Sequence, residues 1–179
     1  LCGISSVVYF CGKLRTAWED VCLLSTHGRS ANLVGAVKSH HKTFTLLGKG
    51  ESVHVLCQEL MEYGLAHVTV HIGIQLGYED EKILSGTPEE LLKQSIDGLC
   101  VALIENETPF SGIRACVDDE EFSRGKAPMT KSEIRSLSVA KLHLEKDSVV
   151  YDVGAGTGSV TIELALAAPD GMVYAVERN

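Results

Sequence analysis

An apolar run that ends in glycines, residues 149–158, leads into a helix-forming run over residues 159–168 and a second apolar strand ending at Glu177. No other stretch constrains this chain as much. A strand that enters a turn with Gly154, Gly156 and Gly158 removes every Cβ that would block a ligand, and the helix that follows begins with free N–H groups pointing outward. Glu177 falls about 20 residues past the turn, where such folds place a carboxylate that grips ribose hydroxyls. The expected site is therefore one for a nucleoside cofactor. Asp152, at the end of the first strand, either joins that site or serves the turn as an acceptor of backbone N–H groups.

The spacing is Gly-x-Gly-x-Gly, with Ala155 and Thr157 between the glycines, and not the Gly-x-Gly-x-x-Gly of a pyrophosphate-binding turn. That difference points to S-adenosyl-L-methionine, which has no pyrophosphate to cradle. The chain starts at Leu1 and stops at Asn179, directly after the second strand of this unit. A doubly wound sheet needs further parallel strands and crossover helices to close a core. The C-terminal unit is expected to be incomplete, and the chain to be a fragment truncated at both ends.

Upstream, apolar patterning predicts alternating strands and helices: a strand over 21–25, a helix over 32–39, a strand over 43–47, and a helix over 51–63 closed by Gly64. A hairpin over 67–84 is expected to turn through residues 77–80, followed by a helix opened by Pro88 and running to Ile96, and an apolar strand over 100–104. The polar, proline-bearing stretch 105–109 marks a boundary, giving units 1–106 and 107–179. In the second unit Thr130 and Glu133 are spaced as a capping box for a helix whose apolar face carries Ile134, Leu137, Ala140 and Leu144.

The net charge of −8 argues against nucleic acid as a partner. Arg114, Arg124, Lys126, Lys131 and Arg135 gather around an acidic run at 118–121, as solvated surface or as a meeting place for an anionic substrate. No apolar run approaches the ~18 residues of a membrane span. A soluble cytoplasmic protein is expected. The six cysteines show no zinc spacing, so reduced, mostly buried thiols and no metal site are expected.

Phe122, the run 128–135, the run 151–160 and the run 174–179 together resemble the decarboxylating precorrin methyltransferases of cobalamin biosynthesis. The runs 3–7, 24–29 and 76–83, with Asn32-Leu33 and Ile104-Glu105, are similar to the C-terminal subdomain of tetrapyrrole methylases, and the order of the two halves resembles the fused C5,15-methyltransferases of that pathway. One departure is the pair Ile74-Gln75, where that family carries a polar Glu-Asn type pair. The resemblance implies an α/β fold in which a mixed sheet with helices is followed by the first part of a Rossmann-like S-adenosylmethionine-dependent methyltransferase. It implies methylation of a corrin precursor at C5 and C15 with loss of the C12 acetate carboxyl. Thr130, Gly154, Ala155, Gly156, Thr157, Gly158 and Glu177 would line the cofactor site, while His27 and Arg29 would face the tetrapyrrole. Ser5 and Ser6 would lie near the other cofactor site or cap the helix that follows. Catalytic residues are unassigned, and the complete enzyme is expected to be a homo-oligomer. Two other readings remain: an inactive fragment or association module of the longer enzyme, and a methyltransferase of the same fold acting on another substrate.

Overall fold

The computed structural model describes residues 3–24, 32–47, 51–110, 116–123 and 128–178. The chain forms two compact units, Leu1–Ser111 and Gly112–Asn179. The first carries α1 (Ser6–Leu14), β1 (Cys22–Leu24), α2 (Leu33–Ser39), β2 (Lys42–Leu46), α3 (Glu51–Glu62), β3 (Thr69–Ile74), β4 (Lys82–Gly86), α4 (Pro88–Leu91) and β5 (Cys100–Glu105). Its five strands are ordered β1-β2-β5-β3-β4, with β1 parallel to β2 and every other pair antiparallel. The mixed α/β architecture expected from the patterning is the one observed.

Strand β5 sits at the centre and is apolar on both faces, because both faces are covered. Cys100, Ala102 and Ile104 point into one core with Val70, Ile72 and Ile74 of β3, closed by Val37 of α2, Leu60 of α3 and Leu91 of α4. Val101 and Leu103 point the other way, against Phe44 of β2 and Val7, Phe10 and Cys11 of α1. Gly73 belongs to that second face: a Cβ there would come within 2.9 Å of Phe10 and Leu76 side-chain atoms. The expected hairpin is present as the β3–β4 pair. Glu81, just before β4, ties it to α1 by accepting from Tyr9 Oη and Gly77 N–H, both at 2.7 Å, and pairing with Lys13 Nζ at 2.8 Å.

Local chemistry sets the helix ends. The Asn32 side chain accepts from Gly35 N–H at 2.8 Å to open α2, and Thr87 with Glu90 forms a capping box for α4. Helix α4 is much shorter than the expected run to Ile96. After Leu91 the chain unwinds through tighter bonds, Lys93 N–H to Glu90 O and Gln94 N–H to Leu91 O, so that Ile96 reaches the core and Gly98, at φ +103°, turns into β5. His40 ends α2, with Nδ1 3.0 Å from Ala36 O.

The second unit carries α5 (Ser132–Lys141), β6 (Val149–Val153), α6 (Ser159–Ala167) and β7 (Met172–Val176). Strands β6 and β7 are parallel, with α6 as the crossover between them. Their start is set by backbone contact: Met172 N–H donates to Ser148 O, and a Cβ on Gly171 would lie 2.1 Å from that same oxygen. One face of the pair, with Val149, Tyr151, Val153, Met172, Tyr174 and Val176, is exposed. Tyr151 and Tyr174 stack there with ring centroids 5.1 Å apart.

Two expectations for this unit need correction. Thr130 does not cap α5: Lys131 is the N-cap residue, no side chain caps it, and the first turn closes on Lys131 O. The face carrying Ile134 and Leu137 is exposed, while the buried residue of α5 is Arg135. A buried guanidinium wins that position because, as described below, it meets acceptors in several directions.

Candidate functional site

Strand β6 delivers the chain into the glycine turn, and all three glycines have positive φ: Gly154 at 84°, Gly156 at 55° and Gly158 at 75°. L-residues are strained in that region, so glycine is required by conformation as well as by space. The turn is anchored from β7, since Gly154 and Ala155 N–H both donate to Val176 O, at 2.7 and 3.2 Å. Among the described residues a Cβ at Gly154 or Gly158 would meet nothing within 4 Å, which leaves open space beside the turn.

Glu177 lies at the end of β7 and accepts from Gly156 N–H through Oε2 at 2.7 Å. The turn and the acid, separated in sequence, are thus brought together. One carboxylate oxygen is held by the backbone, and the other can accept from a ligand hydroxyl. Helix α6 begins at Ser159 with Gly158 as its N-cap, which offers no side-chain acceptor, so the helix start has no capping oxygen of its own. Asp152 acts locally, accepting from the Thr161 hydroxyl and so fastening α6 to β6.

Thr130 is exposed, and its carbonyl accepts from Arg135 Nη1. Arg135 is wholly buried, which sets it apart from the surface patch in which the sequence placed it. Its Nη1 also donates to Asp119 Oδ1 at 2.7 Å, Nε to Glu163 Oε1 at 3.2 Å, and Nη2 to Val117 O, with Phe122 stacked 4.7 Å from the guanidinium carbon. The Asp119 carboxyl is held below its usual range by the Arg135 hydrogen bond, with Lys131 adding at 3.3 Å. No sequence signal distinguished Arg135 or Glu163 from solvated charges.

His27, Arg29, Arg114, Arg124 and Lys126 lie outside the described residues. Cys11, Cys57 and Cys100 are free and buried, and burial pushes the Cys57 thiol up to about 11. Among the described residues no group of three His, Cys, Asp or Glu side chains is placed to hold a metal ion, and no helix is long and apolar enough to cross a membrane.

A family model described as the precorrin methyltransferase domain matches residues 120–179. The cobalt-precorrin-6B C(15)-methyltransferase (decarboxylating) of Salmonella typhimurium is 55% identical over 62 residues, 34% of this chain and 32% of the relative. The precorrin-6Y C(5,15)-methyltransferase [decarboxylating] of Sinorhizobium sp is 26% identical over 178 residues, covering 97% of this chain and 43% of the relative. A solved precorrin-6Y C5,15-methyltransferase from Geobacter metallireducens GS-15 is 44% identical over 35% of this chain and 34% of its own, with a TM-score of 0.33. The chain spans about a third of the length of the Salmonella relative and under half of the Sinorhizobium one. Its homologues are therefore C-methyltransferases named for precorrin-6Y and cobalt-precorrin-6B, as the motifs over 122–179 suggested.

Proposed function

We propose that residues 107–179 are the cofactor-binding N-terminal part of a Rossmann-like, S-adenosyl-L-methionine-dependent methyltransferase that acts on C15 of a precorrin or cobalt-precorrin with loss of the C12 acetate carboxyl. Residues 1–106 are then the C-terminal subdomain of a tetrapyrrole methylase acting at C5. The observation that carries the reading is the glycine turn itself, with three positive-φ glycines beside open space and a carboxylate hydrogen-bonded to Gly156 N–H. The fit to the cofactor is chemical. It needs a surface without Cβ atoms, an acceptor for vicinal ribose hydroxyls and no pyrophosphate cradle, and the turn with Glu177 meets each need.

When bound, the cofactor supplies an electrophilic methyl group on a sulfonium. The residues of this chain hold and orient. Glu177, with one oxygen pinned by Gly156 N–H, is prealigned to receive ribose hydroxyls through the other. Gly154, Ala155, Gly156, Thr157 and Gly158 let the backbone approach closely, and Thr130 lines the same site. An electron-rich ring carbon needs no strong general base to accept a methyl group, so the protein's part is alignment in a dry cleft. His27 and Arg29 are proposed as contacts to the tetrapyrrole's carboxylates, for which a guanidinium fork is suited. Free buried thiols and a metabolic cofactor fit a cytoplasmic setting.

Titration calorimetry with S-adenosylhomocysteine tests this reading on the chain and on Gly156→Arg, which fills the turn and cannot adopt its φ without strain. Saturable binding that the variant loses is the expected result. A folded chain that binds nothing, or a variant that binds equally well, would overturn it.

A further inference from the structure

The cluster around Arg135 is elaborate for a unit with so small an apolar core. Its guanidinium joins segments that are far apart in sequence: Val117 O and Asp119 before α5, the Thr130 carbonyl at the approach to α5, and Glu163 on α6. Glu163 Oε1 also accepts from Val117 N–H at 3.0 Å, so the same carboxylate oxygen binds both α5 and the segment that precedes it. Helix α6 is the helix that starts at the glycine turn, and Thr130 is the residue proposed above to line the same cofactor site. A buried charge is retained only where its partners are fixed, because each one left unpaired carries a large desolvation cost. Every acceptor on Arg135 is therefore held in place by the others.

We propose that Arg135 is a positioning residue for cofactor binding, setting Thr130 against the helix that carries the glycine turn. This rests on the cofactor reading above. Arg135 touches no ligand in this role; it acts through the Thr130 backbone on one side and through Glu163 on the other. The demand is geometric and not merely one of charge. A guanidinium presents a rigid planar fork of donors, whereas an ammonium is a single point on a flexible stem and cannot serve Nε-, Nη1- and Nη2-directed acceptors together. Arg135→Lys should thus keep the ion pair with Asp119 or Glu163, but not the spacing.

The test compares Arg135→Lys, Arg135→Met and the unaltered chain by S-adenosylhomocysteine titration, urea unfolding and amide hydrogen exchange at 129–131. Lysine is expected to recover most of the unfolding midpoint lost in Arg135→Met, yet to leave affinity weakened by roughly ten- to a hundredfold and exchange at 129–131 faster in the ligand-free protein. Glu163→Ala, which removes the bonds of Arg135 and of Val117 N–H to α6 but leaves Asp119 and the Thr130 carbonyl on Arg135, serves if the Arg135 variants do not fold, and the same loss of affinity is expected. Leu164→Ala controls for lost stability, since Leu164 is buried beside Glu163 but outside the network. Lysine restoring affinity together with stability, or affinity falling equally in Leu164→Ala at matched stability, would reduce Arg135 to a structural ion pair and overturn the inference. An unaltered chain that binds nothing overturns the cofactor reading and the inference with it, an outcome distinct from unaltered-chain binding that Arg135→Lys retains.

Discussion

Glu81 shows how much a single half-buried carboxylate at a sheet edge can organise. The Lys13 ammonium, then Gly77 N–H and the Tyr9 hydroxyl, pull its carboxyl from the ordinary 4.5 down to about 2. A depressed folded-state pKa stabilises the fold above the unfolded value and loses that contribution as pH falls. The unfolding midpoint of the unaltered chain should therefore drop between about pH 4.5 and pH 2 by more than that of Glu81→Gln. Equal pH slopes in the two proteins would sink this assignment. Gln75 presents the opposite case, an unbranched residue held at φ +50° at the end of β3. Asparagine tolerates that region better, so Gln75→Asn is expected to raise stability by a few tenths to about 1 kcal/mol in urea unfolding. The glycine turn and Glu177 were legible in the sequence because spacing and order alone identify them. Arg135 was not, because four acceptors converging from separate segments leave no periodic trace, and a lone arginine beside acids reads as surface.

At the scale of elements, patterning located every strand of the first unit and its helices other than α1, the helices by an apolar stripe on one face and β5 by a continuous apolar run buried on both. It failed where a backbone detail overrode it. Helix α4 stops early because Ile96 and Gly98 must turn the chain into β5, and α5 starts at Ser132, with the Thr130 carbonyl bonded to Arg135. The junction of β6 and β7 depends on a contact that no pattern reveals, the approach of Gly171 to Ser148 O. Gly171→Ala places a methyl group against that backbone oxygen and should cost about 1–3 kcal/mol, read as a lower unfolding midpoint with loss of protection at Met172. A midpoint unchanged by the substitution would show that this strand pair can separate freely at its start.

For the whole molecule, the two units differ in how they are held. The first is layered, with helices over both faces of a central apolar strand, whereas the described buried apolar residues of the second are only Val117, Leu164 and Ala168. Local opening follows buried apolar contact, so amides of β3 and β5 should exchange slowest, and those of β6 and β7 should exchange faster by orders of magnitude. Uniform protection across both units would refute this. The same division has an optical consequence. The chain has a single tryptophan, Trp18, in the first unit, so its emission reports on that unit. The stacked Tyr151 and Tyr174 pair belongs to the second, and its coupled ring transitions give that unit a chiral signature in the near-ultraviolet. Trp18 emission therefore follows the first unit alone, and the part of the near-ultraviolet dichroism that Tyr151→Leu removes follows the second.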